Sequence, residues 1–327
     1  MPDTARFRPP GPLGFGGAPL GNMFAPIPEA TAEAVLEAAW ESGIRFYDTA
    51  PHYGAGLSEH RFGHMLRQRP REDYVLSTKV GRMLRPDPAA PREYRMFRDP
   101  LPFRVEYDYS ADAALRSVED SLQRLGLARI DIALIHDIAE DTHGAEWERV
   151  FDAAMAGAAP ALTRLREEGV IRAWGLGVNR PEACLWALER ADPDLFLIAG
   201  RYTLLDQGAL AALLPACLRR GVAVIIGGPY NSGLLAGGGT FDYREAPPER
   251  VAARDRLAAL CARHGVDLRA AALQFAAAHP AVAAVIPGAV EPAQVRANAA
   301  LMRTPIPPAL WQEMREAGLL PPEAPTP

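Results

Sequence analysis

The order of apolar runs along the chain predicts an α/β fold, a (β/α)8 TIM barrel. Three observations carry that expectation: eight short aliphatic or β-branched runs recur, helical-period segments lie between them, and no break in composition divides the 327 residues. Short strands alternating with helices build a parallel sheet, and eight of them suffice to close it. The runs are Leu13 to Gly17, Ile44 to Asp48, Tyr74 to Val80, Ile130 to His136, Ile171 to Val178, Leu195 to Gly200, Val222 to Gly227 and Val282 to Pro287. Between them, Ala30 to Ser42, Ala111 to Leu125 and Glu249 to His264 read as helices. Each stops at a glycine, Gly43, Gly126 and Gly265, which takes the left-handed conformation without steric cost. A chain of this length accommodates two average domains or one barrel, and the lack of a Ser/Gly linker favours one domain over residues 1–327.

Composition narrows the class of partner. With 49% hydrophobic residues and a formal charge of -5, the chain can bury a large core and has no basic footprint for nucleic acid. Small molecules are the expected partners. Cys184, Cys217 and Cys261 are odd in number and far apart, so neither a disulfide framework nor a metal-ligand spacing is read from them. The opening MPDTARFRPP has no apolar core of a signal peptide, and the apolar stretch from Ala270 to Val290 is broken by Gln274, His279 and Pro280. A cytoplasmic enzyme away from the membrane is expected.

Two segments exceed a simple connection: Gly81 to Tyr107, rich in proline and arginine, and Pro229 to Pro248, with the run Gly237-Gly238-Gly239. Both follow strands, on the face where barrel active sites form, so they read as lids or as mobile surface loops.

Four polar residues fall at or just beyond three successive strand ends: Asp48 and Tyr53, then Lys79, then His136. Singly, each has an ordinary role open to it, as a cap, a surface aromatic, a solvated strand end and a hydrogen-bonded core residue. Together they meet a chemical need. A phenol with its usual pKa of about 10 exchanges protons poorly at neutral pH, and an adjacent ammonium favours the phenolate. Lys79 is the expected cation, Asp48 keeps it charged, and a neutral His136 can hydrogen-bond a reacting oxygen.

The stretches RFYDTAPHYGAGLSE, LSTKVGR and RIDIALIHD, in this order and spacing, resemble the signature regions of the aldo-keto reductases over nearly the whole chain. The resemblance implies a catalytic tetrad at Asp48, Tyr53, Lys79 and His136 and a nicotinamide cofactor held without a Rossmann fingerprint. Consistently, Leu13-Gly14-Phe15-Gly16-Gly17 lacks the full Gly-x-Gly-x-x-Gly pattern, and Gly17 is expected against the cofactor with Asp48. Asn179 matches the carboxamide partner, although Val178 stands where the family carries serine, and Gly227 stands where it carries a stacking tyrosine. Tyr230, Asn231, Ser232, Gly233 and Leu234 are expected along the pyrophosphate. Asn298 matches the adenine contact.

Users of NADP in the family carry cations where this chain has Gly288, Val290 and Gln294, and Glu291 would repel a phosphate, so NAD is expected ahead of NADP, with Arg296 as the cation able to swing in. The segments AGRYTLLDQ and VIIGGPYNSGLL resemble the bacterial branch of aldose 1-dehydrogenases and pyridoxal 4-dehydrogenase. That branch implies oxidation of an aldose hemiacetal, of the L-fucose or D-threo-aldose type, at C1 to a lactone. Open alternatives are oxidation of pyridoxal to 4-pyridoxolactone, NADPH-dependent reduction of small aldehydes or ketones, and a non-catalytic regulatory subunit. Between sugar and pyridine ring, Arg82, Arg85 and Arg95 suit hydroxyls, and Met83, Tyr94 and Phe97 suit a ring.

Overall fold

The computed structural model describes residues 6–327; the reading of residues 1–5 lies outside the described residues. The strands are β1 (Phe15–Gly16), β2 (Phe46–Asp48), β3 (Val75–Val80), β4 (Ile132–His136), β5 (Ala173–Val178), β6 (Leu195–Ala199), β7 (Ala223–Gly227) and β8 (Val282–Ile286). They form one parallel sheet in that order. A parallel bridge from Leu13 to Val285 joins the last strand to the first, and Gly14 N donates to Val285 O at 2.9 Å. The fold is a (β/α)8 barrel.

Strand periodicity divides the core in two, because successive side chains point to opposite faces. Phe46, Val75, Ile132, Leu134, Ala173, Leu195, Leu197, Ala223, Ile225, Ala284 and Ile286 fill the interior of the barrel. The alternate residues, such as Tyr47, Leu76, Ala133, Ile135, Leu176 and Ile198, belong to the larger shell between strands and helices. The predicted helices stand at Glu29–Glu41, Ala111–Leu125 and Pro248–Arg263, within a residue of expectation at each end. Ser110 caps the second by accepting from Ala113 N, and Gly126 ends it at φ +63°.

Both long segments are ordered. In the first, Arg82–Pro86 pairs antiparallel with Phe103–Tyr107, and a smaller hairpin, Glu93–Tyr94 with Phe97–Arg98, sits between them. Periodicity failed to show this because prolines and arginines interrupt every run, while the pairing is fixed by antiparallel register and by Arg85–Glu106 and Arg104–Glu106 ion pairs. The second holds a short hairpin, Thr240–Phe241 with Arg244–Glu245.

Helix Leu57–Leu66 approaches the end of Ala111–Leu125 through Gly63, where an added Cβ would stand 2.2 Å from Leu125 O. Gly63→Ala is expected to destabilise the protein by about 1–3 kcal/mol, since backbone cannot yield as a side chain does. Urea unfolding curves of the two proteins check this.

Candidate active site

Period two explains how the mouth acquires its charges. Counting from Phe46, Val75 and Ile132, every second residue points inward, which brings Asp48, Lys79 and His136 to one rim. Asp48 and Lys79 are each 1% exposed. Lys79 Nζ donates to Asp48 Oδ2 at 2.7 Å and to Thr49 O at 2.9 Å, and Ser77 Oγ donates to the other oxygen of Asp48. Room for the lysine comes from β5: a Cβ on Gly177 would stand 3.2 Å from Lys79 Cε.

Tyr53 arrives from the loop after β2. Thr49 and Ser58 share a hydroxyl hydrogen bond, and Ser58 Oγ donates to Gly17 O, closing that loop onto β1. Gly21 and Gly54 let the backbones meet beside Tyr53, where a Cβ on Gly21 would lie 2.5 Å from Tyr53 C. Lys79 Nζ then sits over the Tyr53 ring, 4.7 Å from its centroid, and the His136 ring stands edge-on at 6.0 Å.

Tyr53 lines two adjoining cavities. The larger, about 420 Å3, runs as a cleft past Gly17, Asp48, Tyr230, Ser232, Gly233, Gly288, Gln294 and Asn298. The smaller, about 120 Å3, is a polar chamber bounded by His52, Lys79, Arg82, His136, Asp137 and Asn179 among others. Most of the residues expected at a cofactor therefore converge. Asn179 lines the chamber and not the cleft, and two others line neither. Leu234 is fully buried in the core, because Gly233 at φ +103° turns the chain into the short helix Leu234–Ala236. Asn231 is turned inward and donates to Gly200 O at 3.3 Å. Gln294 lies on the wall, but its side chain caps the helix Pro292–Leu301, accepting from Val290 N at 2.8 Å. Asn179 donates to Asp141 Oδ2 at 3.0 Å.

The electrostatics correct one expectation. Burial pushes the Tyr53 phenol well above its ordinary value, with Asp48 and Asp137 adding to the rise and Arg82 opposing it. The expected lowering by Lys79 does not prevail, because its charge is compensated by Asp48 at 2.7 Å. Burial holds His136 well below 6.5, helped by Arg82 and Lys79, and His52 is likewise held down by burial and then by Arg82. His136 is thus a neutral imidazole near neutral pH.

Several site residues escaped sequence reasoning. Asp137, Asp141 and Thr142 line the chamber from the segment after β4, and Tyr243 lines both cavities from the second hairpin. Arg269, at the start of the helix Leu268–Ala277, faces the cleft and is held by Asp267 through contacts of 2.6, 3.1 and 3.2 Å. Only Asp137 carried a signal, as the inward charge adjoining His136; Tyr243 and Arg269 reach the mouth through elements whose approach no local pattern encodes.

A barrel whose mouth joins a glycine-lined cleft to a half-buried Tyr beside buried Asp, Lys and His defines a class, and comparison with known proteins identifies it. The aldo/keto reductase family model matches residues 12–318. The chain belongs to the aldo/keto reductase family and is an oxidoreductase acting on CH–OH and C=O groups. It is 44% identical over 322 residues to pyridoxal 4-dehydrogenase of Microbacterium luteolum, and the match covers 94% of each chain. It is 42% identical over 318 residues to D-threo-aldose 1-dehydrogenase of a Pseudomonas species, again over 94% of each. Among solved structures, the holo form of an aldo-keto reductase from Bacillus halodurans superposes with a TM-score of 0.72 at 27% identity, covering 96% of both chains.

The two depressed histidines make stability depend on acid. In the unfolded chain they protonate near pH ~6.5, whereas the folded state resists the proton. Their contribution is therefore complete above that pH and is lost as pH falls below it. Thermal denaturation between pH 7.5 and 5 is expected to show a falling melting temperature, with a shallower acid limb in His52→Phe, whose ring would keep the edge contacts with Tyr94 and Phe97.

Proposed function

We propose that the protein oxidises the cyclic hemiacetal of an aldose at C1 to the lactone, with NAD as the hydride acceptor. One observation carries this reading: Tyr53 stands at the junction of a long cleft and a small polar chamber, so one hydroxyl reaches both a bound dinucleotide and a bound sugar.

The cleft suits a nicotinamide dinucleotide. Tyr230 donates to Asn298 Oδ1 at 2.7 Å and so fixes that amide on the wall, where it can meet adenine. Asn231, Ser232 and Gly233 are all at positive φ; Asn231 N and Gly233 N close the turn on Gly228 O and Tyr230 O, and Ser232, on the cleft wall, offers its N–H and hydroxyl to an anionic oxygen. Gly227 and Gly288 keep side chains off the wall, where a Cβ would crowd Leu197 or Pro19, and Gly16 and Gly17 let β1 lie close against Ile286 O and Phe62. Tyr243 supplies the aromatic surface that Gly227 lacks, and Ser232 Oγ accepts from Tyr243 N at 3.0 Å. The bound oxidised cofactor supplies a hydride acceptor.

The residues of the chain supply the rest. Phenolate Tyr53 Oη takes the proton of the anomeric hydroxyl as C1 releases its hydride and the C1–O bond becomes a carbonyl. Neutral His136 holds that oxygen at its imidazole and fixes its direction. Lys79 supplies the cation beside the phenolate, and Asp48 holds that cation in place. Because burial raises the phenol, the reactive phenolate is scarce at neutral pH and grows with alkalinity. Oxidation is expected to accelerate steadily above pH 7, while reduction of the carbonyl, which uses the phenol as its proton donor, is expected to vary little over the same range because the raised phenol stays protonated.

The chamber's wall of Arg82, Arg95, Asp137, Asp141 and Thr142 favours a polyol. Oxidation of pyridoxal is the second reading; His52 and Phe97, packed edge to face on the chamber wall with Tyr94 behind His52, offer a ring an aromatic surface. NADH formation at mildly alkaline pH with L-fucose, D-arabinose, L-galactose and pyridoxal separates the two. Tyr53→Phe is expected to lower turnover by about 10²–10⁴-fold with the best substrate; near-normal turnover would remove Tyr53 from the reaction.

NAD is expected over NADP because no unpaired cation stands at Gly288, Val290 or Gln294, while Arg269 is already neutralised by Asp267. Arg296 pairs with Glu41 at 3.2 Å. Fluorescence titration should give tighter binding of NADH than NADPH, and Asp267→Asn should narrow the gap by freeing Arg269 for a 2′-phosphate. Tighter NADPH binding by the unaltered protein would reverse the assignment.

A further inference from the structure

The chamber holds a buried cation that the reaction at Tyr53 and His136 does not use. Arg82, the third residue beyond Lys79, has a side chain only 2% exposed, yet it lines the chamber. Its Nη2 donates to Asp137 Oδ2, and the face of Tyr107 lies 5.3 Å from the guanidinium carbon. Nε and Nη1 are buried and have no acceptor among the described residues. Leaving guanidinium donors buried without acceptors is costly, the more so because the group is charged. An arginine kept so is poised for a ligand oxygen.

Asp137 is built into the same device. Its backbone takes the left-handed conformation at φ +50°, unusual for a residue with a side chain, and its N–H donates to Gly177 O at 2.9 Å. That turn brings its carboxylate to 3.4 Å from His136 Nε2 while it holds Arg82. The anion therefore bridges the imidazole that meets the reacting oxygen and the guanidinium with spare donors. Asp137 Oδ2 touches both groups, so a second oxygen received at Arg82 would lie beside the reacting oxygen held at His136.

We propose that Arg82 and Asp137 form a clamp for the hydroxyl on the carbon next to the reacting carbon: Arg82 donates to that oxygen and Asp137 accepts its proton. The clamp makes α-hydroxy aldehydes and aldoses bearing a C2 hydroxyl the preferred substrates, and it sets specificity without transferring a proton or hydride. This rests on the aldose reading above, and deepens it by naming the hydroxyl that is read. His52, whose buried Nδ1 also lacks an acceptor or donor, lies beside the clamp with its ring 5.9 Å from that of His136.

The test compares sugars that differ only in the C2 hydroxyl, L-fucose with 2-deoxy-L-fucose and D-arabinose with 2-deoxy-D-ribose, in the unaltered enzyme, Arg82→Lys and Asp137→Asn. A site whose buried donors lose their partner should reject the deoxy sugar by about 100-fold or more in kcat/KM. In both variants that ratio should collapse toward unity, because the hydroxylated sugar loses the clamp in addition to any common change that the altered charge beside Tyr53 and His136 imposes on both sugars, while the fluorescence-measured affinity for NADH stays unchanged. A ratio near unity in the unaltered enzyme overturns the clamp. So does a variant that slows both sugars equally and keeps the ratio, which is the mark of a merely structural arginine. Should Arg82→Lys fail to fold, the ratio in the unaltered enzyme and in Asp137→Asn decides. If no aldose is oxidised, the aldose reading fails by itself, and the clamp is then judged on reduction of glyceraldehyde against 3-hydroxypropanal, with the same preference expected.

Discussion

The ion pair between Lys79 and Asp48 is the constraint on which the site depends. Both groups are 1% exposed, inside the rim of the barrel, where an isolated charge would be expelled or neutralised. Each satisfies the other at 2.7 Å, and Ser77 and Thr49 O complete the set. Such a pair contributes little to net stability, since desolvation offsets its attraction, but removing either partner would strand a charge. Its value is positional. It holds an ammonium over the face of Tyr53 without letting the side chain search for solvent.

The pair also accounts for the glycines and hydroxyls around it. Lys79 extends beside β5 only because Gly177 has no side chain to block it. The loop that carries Tyr53 comes down over Asp48 only because Gly21 and Gly54 allow main chain to touch main chain, and Ser58 ties that loop to Gly17. Sterics and charge thus serve one end, a phenol held between a channel and a chamber. Compensation within the pair also explains why Lys79 fails to draw the phenol down: burial and two carboxylates outweigh a cation already shared.

A second pair, Arg82 with Asp137, is arranged by contrast to be incomplete. Lys79 is satisfied by the protein, whereas Arg82 keeps two buried nitrogens without protein acceptors. In the proposed reaction the completed pair serves the reacting centre and the incomplete one recognition of the substrate. The hairpins that roof the mouth contribute the aromatic and cationic side chains on which substrate choice turns, while the strands beneath are spent on the tetrad. Chemistry on rigid strands and specificity on loops is the division that a barrel's geometry allows.

The sequence by itself determined the eight strands, the helix stops at Gly43, Gly126 and Gly265, and the inward positions of Asp48, Lys79 and His136, because strand period and glycine sterics are local properties. Tyr53 stood out with them as the residue just beyond the second strand end, and the family resemblance added the cleft residues around Tyr230 and Asn298. Only the tertiary structure decided that Gly81 to Tyr107 folds as nested hairpins, that Leu234 and Asn231 turn into the core, and that Gln294 caps a helix. It alone brought Tyr243 and Arg269 to the cleft, set Arg82 against Asp137, and raised the Tyr53 phenol. The reason is physical. Burial, charge compensation and the meeting of distant loops are sums over neighbours that become neighbours only when the barrel closes.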